Sequence, residues 1–177
     1  MKTSKILIAG FGGQGILFSG KALAFTGLKA GMEVSWLPSY GPEMRGGTAN
    51  CSVTLSEAPI GSPIVDKPDV LIAMNLPSLE KYLFETDKGG YIIYDSSLIS
   101  KEAIRADVSI FGIPATKLAS DNGLNGLANM IIMGKAIKET GVLTLEQIKN
   151  SLAQMVPAKK AELLANNIKA IELGYNF

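Results

Sequence analysis

Lys5-Ile6-Leu7-Ile8-Ala9-Gly10-Phe11-Gly12-Gly13-Gln14-Gly15-Ile16 opens with a short apolar run and passes through a cluster of glycines into a second apolar stretch. Lys5 to Ala9 is continuously apolar after its first residue, the pattern of a strand covered on both faces. From Ile16 to Lys29, apolar residues (Leu17, Phe18, Leu23, Ala24, Phe25, Leu28) fall on nearly every side of a helix, which predicts that the helix is buried. Gly31 ends it, and Glu33 to Leu37 reads as a second strand closed by Pro38. Strand, glycine turn, helix and strand make a βαβ opening.

The same reading extends along the chain. Asn50 to Leu55 alternates Cys51, Val53 and Leu55 with Ser52 and Thr54, which predicts a half-exposed strand and places a sheet edge there. Asp69 to Met74, Tyr91 to Tyr94 and Val108 to Ile113 read as further strands, and Pro77 to Phe84 as a short helix. The remainder is helical. Thr144 and Gln147 form a capping box before Leu145, Ile148, Leu152 and Met155, which share one face. Pro157 is expected to start a last helix whose stripe is Ala161, Leu164, Ile168 and Ile171, with Gly174 as its stop. The expected architecture is α/β: a three-layer sandwich with a mostly parallel, Rossmann-like central sheet and a helical C-terminal third, residues 1–177 forming a single domain.

Composition narrows the chemistry. Of 177 residues, 47% are hydrophobic, enough to bury a core, and the formal charge of +1 provides no field for nucleic acid or an anionic membrane. No apolar run reaches the roughly 18 residues of a membrane span. The charged start and apolar run imitate a signal peptide until Gly10 to Gly15 interrupt them, so a soluble, cytoplasmic protein is expected. There is no histidine, which excludes Ser/His/Asp and Cys/His triads and imidazole metal ligation. A single cysteine, Cys51, makes no internal disulfide and holds no iron–sulfur cluster; its place on a strand reads as a small buried hydrophobe. A mean hydropathy of +0.23 suggests apolar surface covered by a partner.

Two segments can carry function. Gly10, Gly12 and Gly15 match the GxGxxG spacing between a strand and a helix, where glycines admit a pyrophosphate beside the helix start. The acid expected about 20 residues on is missing, since the second strand ends in Trp36-Leu37-Pro38, which argues against a ribose-binding NAD site. A turn that merely joins strand to helix explains the motif equally well. The second segment runs from Ser39 to Cys51. Its glycines and Pro42 set a backbone path, Glu43 and Arg45 offer opposite charges, and Tyr40 and Met44 offer apolar contact. An exposed Glu43–Arg45 pair worth about 0–1 kcal/mol is the plainer alternative. Both segments leave the carboxyl ends of strands, where α/β sheets place their ligand crevice, so they should be neighbours.

Gly10 to Gly15, the Ser39 to Cys51 loop, Pro59-Ile60-Gly61-Ser62-Pro63 and Ala73-Met74-Asn75-Leu76-Pro77-Ser78 together resemble the gamma subunit of 2-oxoacid:ferredoxin oxidoreductases, with wording closest to the 2-oxoglutarate and 2-oxoisovalerate types. The resemblance implies a noncatalytic subunit of a complex that oxidatively decarboxylates a 2-oxoacid to its acyl-coenzyme A and reduces ferredoxin. It also implies alpha and beta partners, in some complexes a delta chain, which carry thiamine diphosphate and the iron–sulfur clusters. No cofactor is expected to bind tightly to this chain. Coenzyme A is the ligand associated with such subunits, and the residues expected to face it or the catalytic core are Gly10, Gly12, Gly13, Gln14, Gly15, Tyr40, Gly41, Glu43, Arg45, Gly46 and Gly47. No catalytic or metal-binding residue transfers. An isolated chain this apolar is expected to pair with itself. A free-standing nucleotide-binding module, and a reading of both loops as interface scaffolding, remain the alternatives.

Overall fold

The computed structural model describes residues 2–39, 48–100 and 104–177. Among them, β1 (Thr3–Phe11), β2 (Glu33–Ser39), β3 (Thr48–Ser56), β4 (Val70–Ala73), β5 (Tyr91–Asp95) and β6 (Ser109–Ile113) form a sheet in the order β2-β3-β1-β4-β5-β6. The helices are α1 (Ile16–Lys29), α2 (Leu76–Tyr82), α3 (Ala115–Asp121), α4 (Ala128–Thr140), α5 (Leu145–Met155) and α6 (Ala161–Tyr175). β1, β4, β5 and β6 run parallel, whereas β3 is antiparallel to both β1 and β2.

Alternation along the central strands divides the core in two. Ile6, Ile8, Val70, Ile72 and Ile93 pack into the layer that holds residues of α1, α3, α4, α5 and α6. Leu7, Ala9, Leu71, Ala73 and Ile92 face the opposite way, onto Leu79 and Tyr82 of α2 and Ile99. The sandwich therefore has three layers, thick on one face and thin on the other. No helix among the described residues is long and apolar enough to cross a membrane.

The strands and the first helix fall where the apolar runs place them, with three corrections. β3 is not an edge: it lies between β1 and β2, and Thr54 and Ser56 are as buried as Val53 and Leu55. Its polar residues include one that bonds within the fold, since the Ser56 hydroxyl pairs with Thr3 Oγ1 at 2.8 Å and accepts from the Ala58 amide at 3.1 Å. The edge is β2, where Pro38 continues the strand, as an edge position allows. Consequently β1 and β2 are parallel but not adjacent.

The third correction concerns the last helix. Pro157 precedes a 3-10 turn at Ala158–Lys160, and α6 starts after it at Ala161. Ala161 is exposed, while Asn167, Ala170, Ile171 and Gly174 are the residues it buries. Gly174 lies inside the helix rather than after it. A Cβ there would fall on the Ile131 carbonyl of α4, and one at Gly134 of α4 would fall on the Ile171 carbonyl of α6. The two helices cross backbone to backbone through these glycines. The capping box at Thr144 forms as read, with Gln147 N donating to Thr144 Oγ1 at 3.2 Å and Thr144 N to Gln147 Oε1 at 2.8 Å.

Gly174→Ala forces α4 and α6 apart and should cost about 1–3 kcal/mol, the usual range for overpacking. Gly61→Ala, at an exposed position with no left-handed φ and nothing near its Cβ, should stay within about 0.5 kcal/mol. Thermal unfolding of the two variants orders them, and equal midpoints would contradict this packing.

Candidate functional site

The sheet reverses its direction of growth at β1. From its carboxyl end the chain enters α1 on the thick face, while β4, its other neighbour, leads into α2 on the thin face. Such a switch point leaves a crevice above the strand ends. The glycine turn fills that position. Gly13 and Gly15 adopt φ of 91° and 75°, a left-handed backbone that only glycine enters without strain. Gly15 immediately precedes α1, and its carbonyl accepts the first helical bond, from Ser19 N at 3.1 Å.

Two side-chain amides hold the turn. The Phe11 amide donates to Gln14 Oε1 at 2.6 Å, and Gln14 Nε2 donates to the Met74 carbonyl at 3.1 Å, tying the turn to the ends of β1 and β4. Gly10 makes room for this, because a Cβ there would stand 2.6 Å from Gln14 Oε1 and 2.8 Å from Ile16 Cδ1. From the other side, Asn129 of α4 donates through Nδ2 to the Gly15 carbonyl at 3.2 Å and to Ser19 Oγ at 3.0 Å.

Beside the turn lies a cleft of about 440 Å³ lined by Gly13, Gln14, Met74, Leu98, Thr116 and Ser120, among others. A second hollow of about 290 Å³ touches Gly12 and Gly13 from the α1 side, walled by Phe11, Leu17, Phe18 and Ala49. The larger is of the size that holds small ligands. Among the described residues, no charged side chain lines either one. Any anion there would depend on backbone N–H groups or on residues outside these walls.

Asp95, at the end of β5, is fully buried and accepts from Ser97 N at 3.0 Å, Thr116 N at 3.1 Å and Thr116 Oγ1 at 2.6 Å. Its carboxylate is committed to anchoring the start of α3, the far wall of the cleft. Cys51 is fully buried with Sγ directed at the Ile16 carbonyl at 3.5 Å. Burial pushes its thiol up to about 12, against the smaller opposing effects of hydrogen bonds from the Trp36 side chain and the Gly20 backbone. It is a core residue, as the sequence suggests, and no nucleophile. Among the described residues no three His, Cys, Asp or Glu side chains gather to hold a metal.

Gly10, Gly12, Gly13, Gln14 and Gly15 are thus brought together at the switch point. Tyr40, Gly41, Glu43, Arg45, Gly46 and Gly47 lie outside the described residues. The flanks of that loop are described, and the pairings Ser39↔Asn50 and Phe11↔Thr48 bring both its ends to the carboxyl end of β1. Sequence reasoning missed Asn129 and Asp95. A polar residue directly after the apolar run Tyr91 to Tyr94 was the available sign for Asp95; nothing local marks Asn129.

Fold and site together define an α/β unit with a ligand-sized cleft at its switch point, whose described walls are uncharged. Residues 5–177 match the pyruvate ferredoxin/flavodoxin oxidoreductase family, and the chain belongs to it. It is 40% identical over 174 residues to the ketoisovalerate oxidoreductase subunit VorA of Methanothermobacter thermautotrophicus, covering 96% of this chain and 35% of that protein. With the 2-oxoglutarate synthase subunit KorC of Methanocaldococcus jannaschii it shares 33% identity over 174 residues, 97% of this chain and 91% of that one. The chain therefore spans about a third of the length of VorA and nearly all of KorC. Among solved structures, a keto/oxoacid ferredoxin oxidoreductase gamma subunit from Geobacter sulfurreducens superposes with a TM-score of 0.83 at 25% identity, over 98% of this chain and 96% of that one. A 2-oxoglutarate:ferredoxin oxidoreductase from Magnetococcus marinus, solved with 2-oxoglutarate, coenzyme A and succinyl-CoA bound, gives 0.89 at 26% identity, over 99% of this chain and 31% of that one.

The Cys51 thiol makes alkaline stability a test of the site's packing. The unfolded thiol ionises near its ordinary value of 9.0 and the folded one at about 12, so between those values the unfolded state binds fewer protons and stability falls as pH rises. Denaturation curves from pH 8 to 11 should decline more steeply for the native sequence than for Cys51→Ala. Alkylation of the native protein at pH 8.5 should run at least about 100-fold slower than in denaturant.

Proposed function

We propose that the chain is the gamma subunit of a multisubunit 2-oxoacid:ferredoxin oxidoreductase in the cytoplasm, itself noncatalytic, working beside alpha and beta chains and, where present, a delta chain. The complex would cleave the carboxyl group of a 2-oxoacid as carbon dioxide, join the acyl carbon to the thiol of coenzyme A and pass two electrons to ferredoxin. The substrate would be 2-oxoglutarate or the branched-chain 2-oxoisovalerate. The observation that carries this reading is correspondence along nearly the whole chain with a gamma subunit and with KorC, in a chain whose cleft, among the described residues, is lined by no charged side chain.

Chemistry supports the division of labour. Decarboxylating a 2-oxoacid requires an electron sink for the carbanion, which thiamine diphosphate in the companion chains would supply. Iron–sulfur clusters usually require about four thiolates, and one buried cysteine does not fit them. What this chain's residues would do is shape and contact. The glycine turn would present backbone N–H groups at the start of α1, Gln14 would hold the turn rigid, and the neutral cleft would receive the uncharged part of coenzyme A. Arg45 and Glu43 would contribute from the adjoining loop.

The free-standing nucleotide-binding module fits less well. In a dinucleotide-binding sheet the second strand supplies the ribose-binding acid. Here antiparallel β3 stands between β1 and β2, and β2 ends in Leu37-Pro38-Ser39.

The isolated chain, given 2-oxoglutarate or 2-oxoisovalerate, coenzyme A and ferredoxin, should reduce no ferredoxin. Purified from its native source through a tag on this chain, it should bring down larger chains and with them the activity. Turnover by the isolated chain would refute the proposal.

A further inference from the structure

We propose that Asn129 is a positioning residue that sets the width of the cleft by clamping the glycine turn to α4; the inference rests on the placement of coenzyme A beside that turn. The two walls of the cleft come from distant parts of the chain. Gly13 and Gln14 form one, and Asn125, Gly126 and Ala128, at the start of α4, form part of the other. Asn129 joins them directly, spending its amide on the Gly15 carbonyl and the Ser19 hydroxyl across 114 and 110 residues of sequence.

The fit between amide and turn is mutual. A Cβ at Gly15 would stand 2.5 Å from Asn129 Nδ2, so the glycine is required by its neighbour as well as by its φ of 75°. The residue is 4% exposed, and its Oδ1 is buried with no hydrogen-bond partner. Leaving an acceptor unsatisfied is unfavourable; an apolar side chain of similar shape would avoid that penalty but would take the donor away from the buried Ser19 hydroxyl. The asparagine is accounted for by its donor group, which fixes where Gly15 sits relative to α4. Gln14 fixes the same turn to β1 and β4. The two amides thus hold the turn to the sheet on one side and to α4 on the other.

The test compares the wild-type complex, purified with its companion chains, with complexes carrying Asn129→Leu or Ser19→Ala. Loss of the clamp should raise the KM for coenzyme A about tenfold in Asn129→Leu, the scale of disturbed positioning bonds. The KM for the 2-oxoacid and kcat should change by less than about twofold. Ser19→Ala keeps the bond to Gly15 and should raise the KM for coenzyme A only about twofold; it decides the matter if Asn129→Leu fails to assemble. An unchanged KM for coenzyme A, or a parallel rise in both KM values, overturns the role of Asn129. Hydrogen exchange over residues 10–18, with and without coenzyme A, separates the two levels. No protection of the wild-type turn would overturn the placement of the coenzyme and this inference with it. Equal protection in wild type and Asn129→Leu would overturn the inference alone.

Discussion

β1 is the strand on which everything else depends, because it has a hydrogen-bonded neighbour on each side and apolar residues buried on both faces. A strand so enclosed leaves the chain one free exit, over its own carboxyl end. Helix α1 must begin within a few residues, next to the end of β4, and the left-handed positions of that turn fall to glycine. The glycines at 10, 13 and 15 meet three separate demands: room for Gln14, then two left-handed residues in close succession.

The electrostatic character of the site follows. Its order comes from neutral amides, Gln14 on the sheet side and Asn129 on the helix side, and from a carboxylate, Asp95, whose oxygens are fully engaged by Ser97 and Thr116. The described walls of the cleft carry no charge, so they suit the mostly uncharged part of a ligand, and an ion would have to be held by backbone N–H groups or by neighbouring segments.

Local patterns revealed those parts of the molecule whose causes are local. Continuous apolar runs marked β1, β4 and β5, and Ile16 to Lys29 was legible as a helix to the residue because Gly15 and Gly31 bracket it. The place of β3 was not legible. Alternating serine and threonine reads as a solvent-facing side, whereas Thr54 and Ser56 are buried and Ser56 bonds to Thr3 on the neighbouring strand. Gly174 resembles a helix stop until the carbonyl of Ile131 is seen beneath it. Of the cleft, the glycine wall was visible and the opposite wall was not, because Thr116 is held by Asp95, 21 positions away, and Asn129, beside that wall, reaches Gly15 across 114.

The bond from Asn129 to Gly15 also bears on the order in which the molecule is completed. During synthesis β1, α1, β2 and β3 leave the ribosome well before α4, and their mutual pairings need no later residue. The glycine turn is thus made, and tied by Gln14 to β1 and β4, before its bond to α4 can form. Until α4 arrives, a nascent chain has all six strands but only one wall of the cleft, so anything that needs both walls must wait for that helix.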